Sequence, residues 1–257
     1  MNIACFHDLG FGATHRLAEA FNWGKFVIVD GEKTQGDLSR FLNKARAVFI
    51  THLHMDHLGD YPTFLEIGDS QGIPWPANYT PPDPSKIWTA AETCPAMDPF
   101  EIYKDDLVRV TAILADHRQV YPAFAFRFDT ADGSLAISGD TGPNTKGNLQ
   151  KLAKDVDVLV HEVVDKTWID ATFKGVKQGD PAWPFYIHAI SARTSTEDVG
   201  KVAQQCGAKT LVLGHIGPGN TPIKRLRKAR RNFSGKLIIG EDLMQIGIGK
   251  IPSRFRA

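Results

Sequence analysis

Short apolar runs, rich in β-branched and aromatic residues and bounded by turn residues, recur along this chain. This pattern is typical of buried β-strands. The clearest runs cover residues 26–29, 47–50, 107–114, 123–128, 135–138, 156–160 and 210–213. Helices are predicted over 58–67, 146–154 and 196–206, the last with Ser195 or Thr196 as its N-cap. Strands that alternate with helices predict an α/β fold.

Residues that ligate metals follow four of these strands. The densest group is Thr51-His-Leu-His-Met-Asp-His-Leu-Gly-Asp60, in which three imidazoles and a carboxylate, His52, His54, Asp56 and His57, fall within six positions. Neutral imidazoles and carboxylates bind divalent transition metals, so this stretch can serve one metal or two. A polar loop with chance histidines is the alternative. His117, Asp140 and His215 also follow strands, which predicts an active-site rim at the strand ends.

The composition of the chain limits the classes of protein to which it can belong. With 257 residues, 42% of them hydrophobic, the chain can bury a large core, and no linker divides it, so one domain over 1–257 is predicted. Thirty Lys and Arg against 29 Asp and Glu provide no global field for nucleic acid or membrane. Three dispersed cysteines argue against a disulfide framework and favour a cytoplasmic setting. No signal peptide or membrane span is evident.

Three other segments have two interpretations each. The proline-rich stretch 71–84 is either a pocket wall or a surface crossover. The aromatic segment 168–186 is either a cap over a small-molecule pocket or a homodimer contact. Residues 224–231 carry six cations in eight positions, which favours the solvated face of a helix over a phosphate-binding patch.

The order of these motifs resembles the metallo-β-lactamase superfamily, and within it the ribonuclease Z and phosphodiesterase branch. The matching elements are the Gly31-Glu-Lys-Thr-Gln35 turn, the 51–59 metal motif, Asp116-His117, Ser138-Gly-Asp-Thr141, His161-Glu162 and Leu213-Gly-His215. The resemblance implies a four-layer αβ/βα sandwich with the site at one edge of its two sheets.

The resemblance also implies a dinuclear metal site. His52, His54 and His117 would bind one metal, Asp56, His57 and His215 the other, and Asp140 would bridge both. Zinc is expected, with manganese or iron as alternatives. Two metals can share a hydroxide and polarise the substrate, and Asp56 is also assigned to the catalytic machinery.

Two departures from the family pattern bear on mechanism and fold. The usual glycine-rich opening is missing from residues 1–12, which leaves the first strand open. Arg193 stands where the branch has its proposed proton-donor histidine, 22 residues before the final histidine. A guanidinium hardly ever releases its proton, so Arg193 is expected to bind an anionic group or to pair with Glu162. His188 is the alternative donor, although packing beside the aromatic segment is its other role.

These observations predict a metal-dependent hydrolase of a small ester-like or phosphodiester-like substrate. Only 23 positions separate His117 from Asp140, and no long glycine-rich arm of the kind that holds tRNA is evident, so tRNA is not expected as a partner. Removal of a halide, hydrolysis of a lactone or amide, and a non-catalytic metal-stabilised binding protein are the alternatives.

Overall fold

A computed structural model describes residues 2–6, 24–29, 47–54, 57, 96–143, 147–241, 244 and 246–248. The chain divides into two compact units: unit 1 contains 1–8, 13–94 and 241–245, and unit 2 contains 9–12, 95–240 and 246–257. The predicted single domain stays a prediction. The predicted helix over 58–67, the proline-rich stretch and Asp56 lie outside the described residues.

The described part of unit 1 contains a parallel three-stranded sheet in the order β1-β2-β3. Its strands are β1 (Asn2–Phe6), β2 (Gly24–Val29) and β3 (Val48–Phe49). The strands predicted at 26–29 and 47–50 are confirmed, and β1 fills the first position that the sequence left open. β3 ends two residues before Thr51, so it leads directly into the histidine-rich motif.

Within the described residues, unit 2 contains a seven-stranded sheet in the order β10-β9-β8-β7-β6-β5-β4. Its strands are β4 (Phe100–Lys104), β5 (Val108–Leu114), β6 (Phe124–Thr130), β7 (Ser134–Ile137), β8 (Val158–Val164), β9 (Thr210–Gly217) and β10 (Lys236–Ile239). Neighbours from β4 to β7 are antiparallel, and those from β7 to β10 are parallel. Consequently β7, β8 and β9 deliver their carboxyl ends to one edge.

Helices cover this sheet and complete the core of unit 2. They are α1 (Asn148–Leu152), α2 (Lys166–Thr172), α3 (Trp183–Ser191), α4 (Val199–Gln205) and α5 (Ile223–Leu226), which continues into a 3₁₀ helix (Arg227–Asn232). Ile113, Leu159 and Leu211 from the sheet pack in one buried cluster with Val202 of α4 and Phe233. None of the described helices is long and apolar enough to cross a membrane.

Two boundaries differ from the sequence prediction. The strands predicted at 156–160 and 210–213 extend to Val164 and Gly217, so His161, Glu162 and His215 lie inside strands rather than after them. The buried carboxylate of Glu162 is hydrogen-bonded by Arg193 Nε and by the backbone N–H of Thr194. The predicted N-cap at Ser195 or Thr196 is wrong: α4 begins after Asp198, and Ser195 Oγ instead accepts a hydrogen bond from Asp198 N (3.2 Å) in the preceding turn.

Candidate functional site

The histidines of the 51–57 motif converge within unit 1. His52 Nε2 lies 3.0 Å from His54 Nδ1, and the rings of His52 and His57 have centroids 3.9 Å apart. Thr51 Oγ1 lies 3.1 Å from His52 Nδ1 and 3.4 Å from His57 Nδ1. Thr51, His52 and His57 are buried, whereas Leu53 between them is exposed. The turn therefore gathers imidazole nitrogens on one side, as a metal-binding loop requires.

Unit 2 gathers a second set at the edge formed by the ends of β5, β7 and β9. The buried carboxylate of Asp140 lies between two buried histidines, with Oδ2 3.8 Å from His117 Nε2 and Oδ1 3.7 Å from His215 Nε2. Each oxygen thus faces its own imidazole. A carboxylate so placed can share a cation with either imidazole.

The hydrogen bonding of His117 tests whether this set suits a metal. His117 Nδ1 donates to the carbonyl oxygen of Ala192 (2.9 Å), which leaves the lone pair of the neutral ring on Nε2. Burial lowers the pKa of His117 to about 4, so the ring is neutral near pH 7. A lone pair on Nε2 then faces a carboxylate oxygen at 3.8 Å, an arrangement that favours a cation between the two atoms. The residues therefore fit a divalent metal.

His215 owes its orientation to an irregularity in β9. The pairing of β8 with β9 shifts at this point, since Glu162 pairs with Gly214 and Val163 pairs with Ile216. His215 is the extra residue, and its φ of 42° is one that non-glycine residues rarely adopt. Bulges of this kind turn a side chain out of strand alternation and are common beside active sites. The local strain indicates that the position of His215 is imposed by the fold.

Arg193 occupies the centre of a buried polar network. Its Nε donates to Glu162 Oε2 (3.1 Å), its Nη1 donates to Asp140 Oδ2, and its Nη2 contacts His215 Nδ1. Glu162 Oε1 also accepts from the backbone N–H of Thr194 (2.5 Å). Burial raises the pKa of Glu162, and the guanidinium acts in the opposite direction. Arg193 therefore has the ion pair with Glu162 that the sequence suggested, and it adds a contact with each of two predicted metal ligands.

A short pairing brings Arg193 to this position. Residues 194–196 run beside the end of β8, where Val164 N donates to Thr194 O (2.8 Å) and Thr196 N donates to Val164 O (3.0 Å). Thr194 Oγ1 donates to Thr141 O (2.8 Å), which ties this segment to the loop that carries Asp140. No sequence motif marks Ala192 or Thr194, because a backbone carbonyl and a buried threonine leave no local pattern.

His188 lies on α3 beside the unit 2 set. Its ring centroid is 5.2 Å from that of His117, in an edge-to-face arrangement. The aromatic cluster of Phe173, Trp183 and Tyr186 lies at the other end of α3, with ring centroids 5.6 to 5.7 Å apart. His188 thus contacts a predicted metal ligand, in keeping with its candidacy as a proton donor, which stays a prediction.

A family model described as a beta-lactamase superfamily domain matches residues 32–216. The chain belongs to this superfamily. The predictions of a metallo-β-lactamase superfamily member, of its α/β fold and of a metal-dependent hydrolase are thereby confirmed. The identity and number of the metal ions stay predictions.

Relatives and solved structures agree with this membership. The chain is 27% identical to ribonuclease Z of Mycobacterium sp. (strain KMS) over 243 residues, covering 80% of this chain and 79% of the relative. It is 27% identical to ribonuclease Z of Mycobacterium avium (strain 104), covering 78% and 79%. The short form of human tRNase Z has a similar fold, with a TM-score of 0.57, 21% identity and coverage of 87% and 88%. The metallo-β-lactamase fold protein YhfI of Bacillus subtilis has a TM-score of 0.52, with 15% identity and coverage of 78% and 76%.

These relatives correct one prediction. A small-molecule substrate with tRNA unlikely was expected, and this is wrong, because relatives that match about four fifths of the chain are ribonucleases by name. The short segment of 23 positions between His117 and Asp140 excludes a long RNA-binding insertion only at that place. RNA can still bind to other surfaces of the chain. Phe185 in the supposed cap is 70% exposed, which argues against a lid that closes over a small pocket.

Proposed function

We propose that this chain is a metal-dependent phosphodiesterase that cleaves RNA, with a tRNA precursor as its substrate. The observation that carries the proposal is the Asp140 carboxylate with an imidazole at each oxygen, in a superfamily member whose relatives are named ribonuclease Z. A phosphodiester is a substrate that suits a pair of metal ions, since its attacking and leaving oxygens can each be stabilised.

The proposed ligand set is the one that the motif order along the chain implies. His52, His54 and His117 would hold one zinc ion, Asp56, His57 and His215 a second, and Asp140 would bridge them. Bound zinc would lower the pKa of a water molecule towards neutrality and polarise the phosphate. The motif order along the chain and the imidazole-rich donor set support this assignment, since neutral imidazole and carboxylate are ligands that zinc prefers.

The chain's own residues then have distinct roles. Ala192 holds His117 in the tautomer that presents Nε2, and Arg193 orients Asp140 and His215. Because Arg193 is committed to carboxylates and cannot act as an acid near pH 7, we assign it as a positioning residue. His188, beside His117, is the proposed donor of a proton to the leaving oxygen.

The test is cleavage of a precursor tRNA transcript by the purified protein, followed on a gel, together with metal analysis by mass spectrometry. We expect about two equivalents of zinc per chain. Removal of metal with a chelator should abolish cleavage, and zinc should restore it. His188→Gln should slow cleavage of RNA much more than cleavage of bis(p-nitrophenyl) phosphate, whose leaving group departs without a proton. Full activity in metal-free protein, or no cleavage of RNA by zinc-loaded protein, would refute the proposal.

A further inference from the structure

The chain is nearly neutral overall, but its charge is distributed very unevenly. Residues 199–240 contain nine Lys and Arg and no Asp or Glu, whereas the rest of the chain has 21 basic and 29 acidic residues. This stretch includes β9 with His215 and the basic run of α5 and the 3₁₀ helix. A local excess of positive charge of this size, in a chain whose total charge is nearly zero, is typical of a surface that binds a polyanion.

Carboxylates from outside the stretch neutralise only some of these cations. Arg225 pairs with Asp165 (2.7 Å), Lys228 with Glu197 (2.8 Å) and Lys209 with Asp157 (2.6 Å). In the part of the chain that the structure describes, Lys224, Arg227 and Arg231 are exposed and have no carboxylate partner. We call these three residues the basic surface.

The backbone beneath the basic surface is held firmly. Leu226, Ala229 and Phe233 are buried in the core of unit 2, and α4 lies against the 3₁₀ helix at Gly200. A Cβ at Gly200 would come within 1.9 Å of Ala229 O, so only glycine allows this close packing. A fixed backbone limits the ordering cost that binding to this surface incurs.

The salt bridges of this segment also place it near the candidate site within unit 2. Asp165, the partner of Arg225, directly follows β8, and Glu162 lies near the carboxyl end of that strand. α5 begins eight residues after His215. The basic surface is thus attached to the same sheet edge that presents Asp140, Glu162 and His215.

We propose that Lys224, Arg227 and Arg231 form a docking surface for the phosphate backbone of the RNA substrate. This inference rests on the proposed function. An extended anion fits better than a membrane, because the surface is short and rigid and two of its three cations are arginines, which bind phosphate in a bidentate manner. The sugar-phosphate backbone would be held here while one phosphodiester reaches the site at the same edge.

The experiment compares two variants of the full chain that lose equal charge. Arg227→Gln/Arg231→Gln removes two cations of the basic surface, and Lys104→Gln/Lys154→Gln removes two exposed lysines elsewhere in unit 2. The probe is a precursor tRNA transcript in filter binding at several salt concentrations. We expect the first variant to weaken binding about tenfold at low salt and to lower the salt slope by about 1.5 to 2, as loss of two phosphate contacts predicts. The control should change binding less than about twofold.

Cleavage of bis(p-nitrophenyl) phosphate should be unchanged in both variants, since the site is intact. Equal RNA binding by the two variants would overturn the docking surface, as would loss of binding to phosphatidylserine vesicles with RNA binding unchanged, which would indicate a membrane surface. Failure of the proposed function is a separate result: zinc-loaded wild-type protein would bind RNA through this surface without cleaving it. Thermal melting of each variant checks that folding is preserved.

Discussion

At the scale of single residues, the site sets two buried negative charges against one positive charge. Asp140 and Glu162 are fully buried carboxylates, and the guanidinium of Arg193 contacts both. A buried carboxylate without a cation is costly, so two such groups around one guanidinium leave a deficit of positive charge. A bound metal ion would supply that charge. The two carboxylates thus explain why Arg193 stabilises the fold and why a cation is expected to bind beside them.

Asp140→Asn should abolish metal binding with little change in shape. The amide keeps the volume of the carboxylate but loses its charge and one of its two acceptor oxygens, so we expect at least a 100-fold loss of RNA cleavage, as for other lost metal contacts. Metal content by mass spectrometry should fall in parallel. Asp170→Asn, at an exposed carboxylate paired with Lys166, is the matched control and should retain metal and activity. Retention of both zinc ions in Asp140→Asn would contradict the assignment.

Arg193→Met should destabilise the protein, since it leaves two buried carboxylates without their cation. Removal of one partner of a buried ion pair costs about 3–5 kcal/mol. Denaturant unfolding of the metal-free protein measures this cost. Glu162→Gln in the Arg193→Met background should recover part of it, because one of the uncompensated charges is gone. Additive effects of the two substitutions would show that the pair is not coupled.

The rings of His117 and His215 have different neighbours at Nδ1, so we expect two distinct affinities for zinc. His117 presents Nε2 because its Nδ1 donates to Ala192 O, whereas Nδ1 of His215 faces the cationic guanidinium of Arg193. The positive charge of Arg193 beside this ring should weaken metal binding at His215. Zinc titration against a chromophoric chelator should show a tighter and a weaker equivalent. Equal affinities for both would contradict this prediction.

At the scale of elements, the loop after β7 depends on close backbone contact. Gly142 N donates to Asp116 O (2.8 Å), and a Cβ at Gly142 would lie 2.3 Å from Ser191 O. This contact brings together the loop of His117, the loop of Asp140 and the end of α3. Their approach is closer than any side chain at residue 142 allows.

Gly142→Ala should therefore separate these loops. Overpacking of this kind typically costs about 1–3 kcal/mol, and here it also displaces Asp140 from His117. We expect a lower melting temperature together with weaker zinc binding, measured by calorimetry. Gly247→Ala is the control, since a Cβ there meets none of the described residues within 4 Å. Normal zinc affinity in Gly142→Ala would show that the contact does not position the ligands.

At the scale of the whole molecule, Cys206 reports on the core of unit 2. It is buried in the main apolar cluster, and burial raises the pKa of its thiol to about 12 from an ordinary value of 9.0. The native thiol should therefore react with iodoacetamide about a thousandfold more slowly at pH 8 than an ordinary cysteine, since the thiolate is the nucleophile. Labelling of the Cys206 peptide, followed by mass spectrometry, should occur through unfolding.

The same shift predicts how stability depends on pH. The unfolded thiol ionises near pH 9 and the folded thiol does not until about pH 12, so the unfolded state loses its proton first. The free energy of unfolding should be insensitive to Cys206 below pH 9 and should fall as pH rises above it. Cys206→Ala should remove this component of the alkaline destabilisation. An unchanged alkaline profile in that variant would contradict the burial effect.

Local sequence determined the elements and the chemistry of the site. The apolar runs at 107–114 and 123–128 became β5 and β6 because strand burial follows side-chain pattern. The imidazole and carboxylate spacing indicated a metal site, and the resemblance to the metallo-β-lactamase superfamily implied a hydrolase. Tertiary structure alone decided that Arg193 also contacts Asp140 and His215, that His215 sits on a bulge, and that β8 continues through Glu162. Buried polar residues are stabilised by partners distant in sequence, and no local pattern records which partner that is.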